Sequence, residues 1–217
     1  MKLQSGGRVV REMPEFDLVV RGVCGPCNHN WLHDLERAFR AVMLGPMHGF
    51  PAVLSRPSQM VVALWAIKTW LMVETATAHA RGGMIRPELA YFRRLRTASE
   101  PDPRTQVWIG RFIPGEDITR ISTKPVIGGD GQPVGVIGIL TIGHVLFQIY
   151  LPGIFEGFPE AQSMQLFMSD TMLRMLTPIW PHEVDEVIWP PPIAISVAQF
   201  DTLWGKPEPF KPGPPPD

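Results

Sequence analysis

Cys24 and Cys27 are separated only by Gly25 and Pro26. Two intervening residues let both thiolates converge on one ion while backbone amides face the sulfurs, which makes half of a tetrahedral zinc site. The same spacing is unsuited to a disulfide framework and points to a reducing, cytoplasmic setting. Asn28 follows at once, with His29 and His33 in the next residues. Zinc asks for four ligands, and Cys24, Cys27 and His33 could converge from a turn followed by a helix. His29 and His33, four apart, share a helix face only approximately, and the alternative for both is a solvated face.

The elements around this turn are legible from periodicity. Residues 9–11 and 16–21, β-branched and separated by Pro14, are expected to form a hairpin running into the turn. From residue 28 to about 44, Trp31, Leu32, Leu35, Phe39, Val42 and Met43 recur at three and four, the mark of a helix face. Asp34, Arg37 and Arg40 lie opposite, and Gly45 and Pro46 are the expected stop.

The string CxxCNxxWxxxLE, carried by Cys24, Cys27, Asn28, Trp31, Leu35 and Glu36, resembles the second half of the ββα-metal site of a bacterial HNH-endonuclease-like family. The segments FDLVVRGV, WAIKTW and VWIGR are also similar to members of that group. The resemblance implies metal-dependent phosphodiester hydrolysis of DNA. It assigns a structural zinc to Cys24 and Cys27, a place beside a catalytic divalent metal such as magnesium to Asn28, and nucleic acid as the partner. The family's other zinc ligands and its water-activating histidine come from an upstream half, and residues 1–23 hold neither cysteine nor histidine. The expected function is therefore that of a truncated or degenerate HNH-like protein. The rival from another class is a non-catalytic binding protein that keeps a relic knuckle.

Beyond the knuckle, Ser55 or Ser58 can cap a helix reaching about residue 78, apolar nearly all round and hence a buried core helix. Lys68 and Thr69 interrupt its apolar run, which is too short to span a membrane. A third helix is expected from Pro87 through Leu95. Short β-rich runs follow at 106–113, 118–127, 134–142 and 145–151, with turn chemistry in GGDGQP, and suggest an antiparallel meander. Gly143 and His144 would form a tight turn or a bulge between the last two runs. A short helix at 170–176, a strand near 187–189, a final helix at 196–203 and the proline-rich tail complete the reading.

Other candidates carry less. His48, His79, His144 and His182 show no spacing that defines a nucleophilic triad. Glu183, Asp185 and Glu186 near His182 read as a solvated loop rather than a cation site. Arg86, Arg93, Arg94, Arg96 and Arg104 form the densest basic stretch, and Trp65 and Trp70 at helical spacing among aliphatic residues read as core. Glu36 is open between an ion pair with Arg40 or Arg21 and the metal region.

Composition bounds these readings. The chain has 217 residues, 45% hydrophobic and 19% charged, enough apolar surface for a substantial core. A net charge of -1 gives no global field for nucleic acid, so any DNA contact is local. The expected class is α+β: a partial ββα knuckle at residues 1–45, an α+β accessory domain at 46–205 with a helical segment and an antiparallel β-rich part, and a proline-rich tail at 206–217. Homo-oligomerisation is left open.

Overall fold

The computed structural model describes residues 2–5, 8–12, 28–78, 91, 95–97, 100–115, 119–129, 131, 133–153 and 169–204. The class is α+β, with helices on both faces of a mostly antiparallel sheet. Strands β1 (Lys2–Ser5) and β2 (Arg8–Glu12) pair antiparallel, with Gly6 and Gly7 between them in sequence. Of the expected hairpin, residues 9–11 fall in β2, and residues 16–21 lie outside the described residues.

A wide helical turn at Asn28–Leu32, of the i→i+5 type, runs into α1 (His33–Met47). Leu35, Phe39, Met43 and Pro46 form the buried face of α1, and Asp34 and Glu36 in its first turn suit the positive end of the helix dipole. Gly45 and Pro46 do not stop it. The chain turns at Gly49 (φ 89°), where Phe50 donates its N–H to the Gly45 carbonyl and Gly49 to that of Pro46. This is the paired-carbonyl C-cap that a left-handed glycine permits. Pro46 is tolerated because it forfeits a single ladder bond inside the last turn.

Strand β3 (Ala52–Ser55) leads without a break into α2 (Arg56–Ala78). The Ser55 and Ser58 hydroxyls lie 3.1 Å apart at this junction. From Val62 to Leu71 every residue of α2 is buried, as its apolar sequence predicts. Of the third expected helix, Tyr91 and residues 95–97 are described, and they are helical.

The main sheet contains β4 (Gln106–Ile113), β5 (Ile121–Ile127), β6 (Pro133–Ile142) and β7 (Val145–Pro152). A short helix, α3 (Asp170–Leu173), precedes β8 (Leu176–Trp180), β9 (Glu186–Trp189), β10 (Ala194–Ser196) and α4 (Val197–Trp204). The strand order is β10-β4-β7-β6-β5. Strands β5, β6 and β7 form the expected meander, but β4, first in sequence, docks beside β7 instead of β5. On its other edge β4 pairs with β8 over Val107–Gly110 and, in parallel, with β10 over Arg111–Ile113. Strands β3 and β9 form a separate antiparallel ribbon.

Alternation along β7 separates two cores. Val145, Phe147, Ile149 and Leu151 pack with α1 and α2, while Leu146 and Tyr150 pack with Phe200 and Trp204 of α4. Trp70 lies so close to Gly138 on β6 that any Cβ there would collide with the indole. On the opposite face Trp204 donates to Gln148 at 3.0 Å, and Arg120 pairs with Asp201 at 3.0 Å. Ser196 and Gln199 cap α4 reciprocally, each accepting the other's backbone N–H.

Buried Gln59 ties the ribbon to α2. Its amide donates to the carbonyls of Leu54 (2.9 Å) and Val184 (3.3 Å), and its oxygen lies 3.3 Å from Nδ1 of His182. Among the described residues no helix is long and apolar enough to cross a membrane.

Candidate metal centre

The residues that open the motif, Cys24 and Cys27, lie outside the described residues, as does Arg21. From Asn28 onward the motif is placed, and the helix expected after the second cysteine is there. Asn28 begins the wide turn, and His33 is the first residue of α1, exposed to solvent. Leu32 and Leu35 are buried, Trp31 packs against the same core at its margin, and Phe39 continues the face one turn later.

Glu36 has its own partners. One carboxylate oxygen accepts from the Lys68 ammonium and the other accepts from Trp65 Nε1 at 2.7 Å, both on α2. The ion pair expected with Arg40 or Arg21 is thus made with Lys68, 32 residues downstream. Lys68 is buried, with 5% of its side chain exposed, against 45% for Glu36. Burial lowers the Lys68 pKa, and the Glu36 charge and hydrogen bond partly oppose that shift. The ammonium also sits 5.6 Å from the centre of the Trp65 ring, which in turn stacks on Phe39 at 3.6 Å.

These contacts fix α1 against α2 near its start. The other end is held as well, since His144 donates its backbone N–H to the Met47 carbonyl at 3.0 Å. Gly143 (φ 54°) passes so near that carbonyl that a side chain would collide with it, which settles the 143–144 segment as a tight turn. The helix that follows the cysteine turn is therefore part of the main core, contributing Leu35, Phe39 and Met43. Each such side chain contributes about 1.5–3 kcal/mol of burial.

The remaining candidates are dispersed. His182 meets Gln59 and the edge of Trp180, and the His144 ring faces Gly49. Glu183, Asp185 and Glu186 are exposed, and Asp185 pairs with Arg56 at 2.7 Å. Arg104 pairs with Asp102 and Arg96 is exposed, while His79, Arg86, Arg93 and Arg94 lie outside the described residues. Trp65 and Trp70 are core residues. No group of three or more His, Cys, Asp or Glu side chains among the described residues is gathered to hold a metal ion. Sequence reasoning missed Lys68 and Trp65 as the partners of Glu36. The available signal was the single lysine within the apolar run of α2, which needs a counter-charge when buried.

Neither a family model, nor a curated protein, nor a solved structure matches the chain.

Proposed function

We propose that this chain carries the second half of an HNH-like ββα-metal site and is a relative of DNA-cutting enzymes. Cys24 and Cys27 serve as zinc thiolates, with His33 as a third donor reaching back from the start of α1. The observation that carries the reading is the helix itself. It starts at the residue after the CxxC turn and uses the motif's own Trp31, Leu35 and Glu36 to dock on the core.

The donor chemistry fits. Two thiolates and an accessible imidazole suit zinc, and the Asn28 amide oxygen is a hard donor suited to magnesium or manganese. Bound zinc would brace the turn, and a hard divalent ion would polarise a phosphodiester. Residues 1–23 contain no histidine to serve as general base, so hydrolysis by these residues alone is not expected. DNA is the partner the resemblance implies, met by local contacts.

Metal analysis and a nicking assay test this. Stoichiometric zinc in the purified chain, lost on Cys24→Ser, is expected. Plasmid nicking with magnesium or manganese that disappears in Asn28→Ala would make the chain an active nuclease. Absence of zinc in the wild-type chain, or its retention in Cys24→Ser, overturns the proposal.

A second reading, a non-catalytic binding protein, is favoured by one feature. Val53 and Ile188 are cross-strand neighbours on the β3–β9 ribbon and are 58% and 74% exposed. Such an adjoining pair is an apolar contact point that a partner would cover.

A further inference from the structure

We infer that the outer face of the β3–β9 ribbon is where a second copy of this chain docks, an inference that rests on the ribbon contact of the binding reading above. Alternation along a half-buried ribbon puts apolar residues inward and polar ones outward. The inner face obeys, with Leu54, Val187 and Trp189 buried. The outer face departs from it, since Val53 and Ile188 stand directly opposite each other there and both are largely exposed. The next pair on that face is Ser55 and Glu186. Just past it Arg56 meets Asp185 at 2.7 Å, and both of these side chains are exposed.

The sidedness of these residues selects the occupant. Val53, Ser55 and Arg56 lie on the β3 side, and Ile188, Glu186 and Asp185 lie at the matching levels on the β9 side. A two-fold axis parallel to the strands, on the outer face midway between them, exchanges the two sides of the ribbon level by level. Val53 then covers Ile188 of the second copy, Ser55 faces its Glu186 and Arg56 faces its Asp185, each contact being made twice. The face is therefore complementary to itself in apolar surface and in charge, the property of an isologous interface. A net charge of -1 puts little general repulsion between copies. The ribbon is short against the roughly 1,200–2,000 Å² that a stable interface buries, so the dimer is weak and concentration-dependent.

Sedimentation equilibrium of the full chain tests this. The wild-type chain is expected in reversible monomer–dimer exchange, and Ile188→Glu should weaken the dimer about tenfold or more, since the apolar contact is lost twice. Charge exchange reads the symmetry. Arg56→Glu and Asp185→Arg should each dimerise less than wild type, because like charges then face each other, while an equimolar mixture of the two should recover association as a heterodimer. A mixture that associates no better than its components overturns the inference. A wild-type chain that stays monomeric at about 1 mM also overturns it and leaves the ribbon open to a different partner. A dimer that survives Ile188→Glu does the same, because the copies then meet elsewhere. Plasmid nicking by the wild-type chain would instead overturn the non-catalytic reading, whatever the oligomeric state. Should Ile188→Glu fail to fold, Val53→Thr keeps the branched shape and loses only apolar contact, and unchanged dimerisation there overturns the inference.

Discussion

The ammonium of Lys68 and the carboxylate of Glu36 join two helices across 32 residues of sequence, with the cation buried and the anion half in water. The two partners are therefore unequal under substitution. Glu36→Gln strands a buried ammonium and is expected to lower stability by about 2 kcal/mol, below the roughly 3–5 kcal/mol of a fully buried pair because water reaches the carboxylate side. Lys68→Met should be neutral or stabilising. Urea denaturation of the two variants checks the order, and equal losses would refute it.

The same lysine has a pH signature. Its pKa in the folded chain lies below the ordinary 10.5, with burial as the first cause. Between that lowered value and 10.5 the unfolded chain holds more protons, so the Lys68 contribution to stability rises with pH there. It is lost as pH falls through the folded value. Melting curves from neutral to alkaline pH should therefore show a positive component that Lys68→Met abolishes.

Tyr150 behaves in the opposite sense. Burial raises its pKa above 10.0, and its hydroxyl has no hydrogen-bond partner among the described residues. The stability it supports is complete below pH 10.0 and is lost as pH rises through the raised value, because the unfolded chain releases its proton first. Tyr150→Phe should leave neutral-pH stability within about 1 kcal/mol, since it deletes an unsatisfied group, and should flatten this alkaline loss. A large destabilisation at neutral pH would show that the hydroxyl has a partner after all.

Two glycines with positive φ separate backbone strain from collision. Gly143 (φ 54°) lies against the Met47 carbonyl, whereas Gly131 (φ 79°) has open space around it. Gly131→Ala should cost about 1–2 kcal/mol, the price of a left-handed non-glycine residue, and Gly143→Ala clearly more. Similar denaturation midpoints for the two variants would show that the turn yields to the added methyl.

The parts of the fold that could be read in the sequence are those governed by local pattern. Strand β4 matches its expected run, and the apolar surround of α2 announced its burial because both of its sides meet protein. What escaped depends on distant partners. Strand β3 spans four residues in a proline- and glycine-broken stretch and is defined by pairing with β9, more than 130 residues later. Residue type points to Gly45 and Pro46 as the stop of α1, whereas the left-handed conformation that ends it belongs to Gly49. Around the candidate centre, Trp31 and Leu35 declared themselves by spacing. The partner of Glu36 did not, because no local rule links position 36 to position 68.

The bond from His144 to Met47 has a mechanical consequence. With one end pinned to the β6–β7 turn and the other clamped by α2, α1 behaves as a strut about 22 Å long. Load applied at the start of α1 passes into the sheet instead of being absorbed by a hinge. Probes placed at the two ends of that strut would keep a constant separation.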